Sequence, residues 1–155
     1  MENTYSEILA NQYLKSRNST LKRLNKVPMG FEHWRPTPNS MSFTDTAVHL
    51  LEVDNAYLDS FDSKIMGKCL GRATTDTDIS REDFENLLLK LEKSAAIISN
   101  EIKSKDYSFL SESIEIERIA GNQRVSYFAL FTTAIDSEAH HRGELVVYLK
   151  LLPSP

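Results

Sequence analysis

The chain of 155 residues contains a single cysteine, Cys69. One cysteine closes no intrachain disulfide, so the fold must rest on its core, and such usage fits a reducing, cytoplasmic setting. The surrounding "MGKCLGRA" matches no nucleophile signature, and Cys69 reads as structural or incidental. Glycine and proline are equally scarce, five of each. Pro28, Pro36 and Pro38 lie within "VPMGFEHWRPTPNSMS", and Pro153 and Pro155 end the chain. Proline is poorly tolerated inside helices, so 27–41 is expected to be an ordered connection and 153–155 a tail. No run approaches the ~18 apolar residues of a transmembrane helix. The polar start "MENTYSEILANQYLK" lacks the apolar stretch of a secretory signal. Basic charge is not in excess: the formal net charge is −4, with Lys and Arg scattered. That argues against nucleic acid as a partner, as the hydropathy argues against a membrane. Internal repeats, low-complexity tracts and linkers are missing too.

What is present is ordinary for a globular protein, 41% hydrophobic and 26% charged residues. The length suggests one domain over 1–155. A core at this size buries about 68–70% of the unfolded chain's surface, so folding needs neither disulfide nor metal.

Apolar residues recur with helical spacing. The first helix is expected over 4–25, with Tyr5, Ile8, Leu9, Tyr13, Leu14, Leu21 and Leu24. A second, over 43–62, follows Ser42, with Asp45 at the spacing of a capping box. A third, over 81–104, opens in the same way with Ser80 and Asp83 and carries Phe84, Leu87, Leu88, Leu91, Ala95, Ile98 and Ile102. A fourth runs from Gln123 to Leu151. Between the last two, "SIEIERIAGNQRVS" alternates apolar and polar residues before Gly121-Asn122. It is either a short hairpin or an extended crossover. The fold class is therefore all-α, a four-helix bundle with a longer connection between its third and fourth helices.

Two of the four histidines are adjacent in "DSEAHHRGELVVYLK". Neighbouring helical residues point about 100° apart, so His140 and His141 cannot share one ligand. His141 lies within roughly 40° of Leu130, Ala134, Ser137, Leu145 and Tyr148, and so faces the bundle interior. His140, on the side of Asp136, Glu144 and Val147, points toward the bundle's edge or outward. On the second helix, small or polar residues surround His49: Asp45, Thr46, Val53, Ala56 and Ser60. That pattern suggests a cavity, and the alternative is that His49 and His141 are satisfied core histidines. Trp34 is expected to anchor the "HWRP" connection over the bundle with His33 exposed beside it. Gly143 is expected to let another helix approach. Arg142 is either paired with a carboxylate or exposed.

Together, "HWRPTPNSMSFTDTAVHLLEVDNAYL" and "HHRGELVVYLKLLPSP" resemble the DinB/YfiT-like family of metal-dependent enzymes over essentially the whole chain. The resemblance implies a four-helix bundle, often dimeric, holding a divalent metal such as nickel or zinc with three histidines. It places the ligand of the second helix on His49 and the last ligand on His141. The middle ligand falls on Ser137, where relatives read HExHHRG and this chain reads "SEAHHRG". Candidates for the third position are Ser137, Glu138 in a Glu-x-x-His spacing with His141, Glu144 and Asp45. Asp45 could instead orient His49 as an outer partner. Both glutamates are otherwise solvated surface charges. The resemblance implies thiol-dependent transfer or hydrolysis of a small molecule, with a low-molecular-weight thiol and a homodimer as expected partners. The alternative is a metal-free bundle that binds a small molecule or a partner protein in the same cavity.

Overall fold

A computed structural model describes residues 4–67 and 78–154. Its elements run α1 Thr4–Leu24, α2 Phe43–Ser63, β1 Ile65–Met66, α3 Arg81–Ser104, α4 Tyr107–Ser111, β2 Ser113–Ile116, β3 Gln123–Ser126 and α5 Tyr127–Leu151. Cys69 lies outside the described residues. No described helix is long and apolar enough to cross a membrane.

The helix boundaries follow from local chemistry. Ser42 accepts from the Asp45 amide at 3.0 Å, and the Asp45 carboxylate accepts from the Ser42 amide at 2.8 Å. This reciprocal capping box satisfies two donors that α2 would otherwise leave bare. Ser80 caps α3 through the Asp83 amide. Lys64 ends α2 in the left-handed region at φ 57°. The 27–41 connection turns at Gly30, whose φ of 89° suits the third position of a type II turn closed by Phe31 N–H on the Pro28 carbonyl. Trp34 then lies on the bundle against Phe43 and Tyr148, with ring centroids 6.2 and 6.0 Å away.

The stretch after α3 resolves into a hairpin, Ser113–Ile116 paired antiparallel with Gln123–Ser126. β1 adds in parallel to β2 as a third strand. The fourth long helix accordingly begins at Tyr127, not at Gln123. Residues 123–126 have their backbone groups in the ladder, and Ser126 then caps the helix through the Ala129 amide.

In the bundle α1 packs against α3 and α5, and α3 packs against α2. The remaining pair, α2 and α5, is spaced more widely, and large rings fill the gap. Phe43 meets Tyr148 at 5.9 Å, His49 meets His141 at 5.1 Å, Tyr57 meets Phe131 at 5.5 Å and Phe61 meets Tyr127 at 6.0 Å. These contacts step in opposite directions along the two helices, so α2 and α5 run antiparallel. The His49–His141 contact is the only rung of this ladder built from imidazoles. The core divides into two apolar clusters, one around Tyr13, Tyr57, Ile98 and Phe131, the other around Leu24, Phe43, Leu91 and Leu145.

A buried polar layer lies between them. Arg17 donates through Nε to Glu138 Oε1 at 2.7 Å and through Nη2 to Glu138 Oε2 at 3.0 Å. It donates to Asp54 from Nη1 at 2.6 Å and from Nη2 at 2.9 Å, and to the Leu91 carbonyl at 3.3 Å. All five N–H donors of the guanidinium are thereby used. Asp54 also accepts from the Tyr13 hydroxyl at 2.9 Å and from the Ser94 hydroxyl. Burial opposes the charge on Arg17, but its bonds to Asp54 and the charge of Glu138 outweigh this and raise its pKa. The Tyr13 phenol is pushed well up, first by burial and then by the Asp54 charge.

Candidate functional site

His49 and His141 come together as their helical phases require, at the imidazole rung between α2 and α5. Their rings meet edge to face, 68° apart in plane. His141 is largely buried, its side chain 13% exposed, whereas that of His140 is 66% exposed and points outward. Glu144 joins the adjacent pair. Its Oε2 lies 3.2 Å from His141 Nδ1 and its Oε1 lies 3.3 Å from His140 Nε2. A carboxylate only accepts, so the proton of His141 belongs on Nδ1, leaving Nε2 as a lone pair. That is the arrangement in which a carboxylate fixes the tautomer and raises the basicity of a metal-binding imidazole.

His49 has no such support. Its Nδ1 is buried and lacks a hydrogen-bond partner, alone among the buried side-chain polar atoms of the described residues. Burial lowers its pKa from the ordinary 6.5, the nearby His141 lowers it further, and Glu144 partly offsets them. His49 is therefore neutral at pH 7. With a lowered folded-state pKa, the unfolded chain takes up the proton first as pH falls. The stability contributed by neutral His49 is present above about pH 6.5 and is lost below it. Thermal melts of the metal-free chain at pH 7.5 and 5.5 should show this loss, and His49→Gln should flatten the profile between them. An unchanged profile in that variant would assign the acid sensitivity to another group.

Candidates for the third position have different fates. Ser137 is exposed, one turn before His141 on a face otherwise buried at Leu130, Ala134, Leu145 and Tyr148. Glu138 is not a solvated surface charge: it is buried with both oxygens on Arg17. Asp45 is held by the Ser42 cap and by Arg35 Nη2 at 3.1 Å, so it neither joins nor orients His49. Among the described residues no three His, Cys, Asp or Glu side chains form a metal-holding group. What converges is a pair of imidazoles and one outer carboxylate.

Three surrounding residues differ from their sequence reading. Arg142 donates to the Ser16 hydroxyl at 3.0 Å, tying α5 to α1 without a carboxylate. Gly143 does not admit a helix, since a methyl there would meet nothing within 4 Å. It lies instead in the wall of a groove of about 480 Å³ between α5 and Pro36–Ser40, which also touches Glu144. His33 is half-buried, and its Nε2 accepts from the Ile79 amide at 2.8 Å, holding the chain as it enters α3. The residues missed from sequence are Arg17, Asp54 and Ser94. The available signal was charge within an apolar stripe, since Arg17 falls between Tyr13 and Leu21, and Asp54 between Leu50 and Tyr57.

Comparison with known proteins agrees with this architecture. A crystal structure of a DinB-like protein from Bacillus subtilis, YjoA, matches with a TM-score of 0.67 over 95% of both chains, at 19% sequence identity. At that identity the likeness concerns the fold. No curated protein sequence matches the chain. The family model for the DinB family matches residues 1–153, and the chain belongs to that family.

Proposed function

We infer that the chain binds one divalent metal, nickel or zinc, between His49 and His141, and acts as a thiol-dependent transferase or hydrolase on a small-molecule substrate. The observation that carries this reading is the buried, unpartnered Nδ1 of His49 beside the His141 ring. An unsatisfied buried polar atom costs about 1–3 kcal/mol, and a neutral imidazole is the commonest metal ligand. Two imidazoles bound at about 2.0–2.1 Å to one tetrahedral ion have ring centroids roughly 5 Å apart, comparable with the 5.1 Å between His49 and His141. A bound metal would supply acidity, making a coordinated water or thiol nucleophilic near neutral pH.

The chain's own residues prepare the site. Neutral His49 has no proton to give up before ligation. Glu144 holds the Nδ1 proton of His141 and turns its Nε2 lone pair outward from that bond. Ser137, exposed one turn before His141, sets no bulky side chain beside the pair. On the same reading the protein is cytoplasmic and homodimeric, the exposed Phe128, Val147 and Leu151 of α5 supplying apolar surface for a second copy.

A second reading rests on the commitment of Glu138 and Asp45 elsewhere, which leaves only two histidines. A metal-free bundle would then bind a small molecule or partner protein beside this pair without catalysis. Metal analysis after purification without chelators, followed by nickel and zinc titration, separates the two. Metal bound by the native state alone stabilises it by about 2.7 kcal/mol at a hundredfold excess over Kd. The parent protein is expected to melt higher with metal, and His49→Ala and His141→Ala to lose that response. A parent with neither bound metal nor a thermal shift decides for the metal-free reading. Sedimentation velocity tests the dimer.

A further inference from the structure

We propose that the buried Arg17 is a positioning residue for the His49–His141 pair, setting the separation of the two helices that carry them. The site lies on the one side of the bundle where neighbouring helices are spaced widely. Only side chains bridge α2 to α5 there, and most of those bridges are ring contacts, which are soft in direction. Two holds are directional: at the far end the Tyr127 hydroxyl donates to the Ser60 carbonyl, and nearer the histidines Arg17 reaches in from α1. Its planar guanidinium grips Asp54 of α2 through Nη1 and Nη2, at 2.6 and 2.9 Å. It grips Glu138 of α5 through Nε and Nη2, at 2.7 and 3.0 Å. Two paired contacts on one rigid plane fix both the distance and the orientation of the carboxylates.

These grips lie close to the histidines along both helices. Asp54 follows His49 by five residues, and Glu138 precedes His141 by three. A change in the gap at Arg17 is therefore carried to the imidazoles by little more than one helical turn. The Ser94 and Tyr13 hydroxyls on Asp54 extend the hold to α3 and back to α1. An apolar layer of similar volume is often as stable as a buried ion network, or more so. Stability alone thus does not account for the arrangement, whereas a fixed gap beneath a two-histidine site does.

The effect on metal affinity rests on the metal reading above, but the effect on helix separation does not. The test uses the full chain with Cys69→Ser and nitroxide labels on Glu52→Cys and Asp136→Cys, both exposed positions on the two site helices. Distances between the labels are measured by electron spin resonance in this background. They are measured again with Arg17→Met, Asp54→Leu and Glu138→Leu combined, and with Arg17→Lys alone. The triple variant should stay folded and melt well above Arg17→Met alone, yet show a shifted or broadened distance distribution. Its nickel and zinc affinity should fall about tenfold or more, the scale of losing an outer partner of a metal ligand. Arg17→Lys, which keeps the charge but not the planar fork, should broaden the distribution less. A folded triple variant, or a folded Arg17→Lys should the triple variant not fold, with the parent's distance distribution would overturn the proposal. If the parent takes up no metal, the metal reading fails, and the distances still decide the role of Arg17.

Discussion

Arg17→Met alone is expected to lower folding stability by about 3–5 kcal/mol, the usual cost of removing one partner from a buried ion network. Asp54 and Glu138 are almost fully excluded from solvent. Without the guanidinium, two negative charges remain in the core. Tyr13 and Ser94 still donate to Asp54, but Glu138 accepts from Arg17 alone among the described residues. The Leu91 carbonyl also loses its contact. For a chain of this length about 1 kcal/mol shifts the melting temperature by about 2–4 °C, so the variant should melt about 6–20 °C below the parent. Urea titration should show a lower midpoint at unchanged slope. A loss under ~1 kcal/mol would mean that water or a rearranged side chain replaces Arg17 at little cost. Adding Asp54→Leu and Glu138→Leu should recover most of the loss, because the charges leave together with their partner.

The contrast between these residues and the helix caps shows what was readable in advance. Ser42 with Asp45, and Ser80 with Asp83, act across three residues of one helix, and sequence spacing captures such local geometry. The inward phase of His49 and His141 was legible for the same reason, since angles along a single helix depend only on residue number. The alternation before Gly121-Asn122 allowed the hairpin without deciding between it and an extended crossover. It did not reveal where strand gives way to helix, because Gln123–Ser126 can continue a helical pattern as readily as a strand, and only pairing with Ser113–Ile116 decides. Glu138 and Asp45 illustrate a further limit. Both share a helix with a site histidine, yet distant arginines hold them, Arg17 from the first helix and Arg35 from the connection. Intrahelical spacing carries no information about such partners. Arg17 itself left a trace, a cation in the middle of an apolar stripe. A buried arginine needs carboxylates, and Asp54, placed likewise in the stripe of α2, was the matching half of that signal. Gly143 erred in another way: a helical glycine marks missing volume, and sequence does not say whether a neighbour or open space takes its place.

Ser137→His is expected to tighten nickel or zinc binding on the order of 100-fold, about 2.8 kcal/mol. Side chains at i and i+4 stand one above the other on a helix, and each leans toward the helix N-terminus. His141 therefore leans over the turn that bears position 137, and an imidazole placed there would lie beside it. Ser137 is exposed, so the larger ring displaces no packed neighbour and should leave the stability of the metal-free chain within about 0.5 kcal/mol. A serine hydroxyl is a poor neutral ligand, whereas a third imidazole would complete the usual set of three protein ligands and still leave a position for substrate. Competition against a chelating dye gives the affinities of parent and variant, and thermal melts of both without metal check that the fold is unaltered. The gain should vanish in Ser137→His combined with His49→Ala, because the new ring is meant to join the existing pair. A variant that binds no more tightly than the parent, at equal metal-free stability, would show that the lone pairs of His49 and His141 do not converge on the space that position 137 overlooks. The metal-free reading would then be favoured.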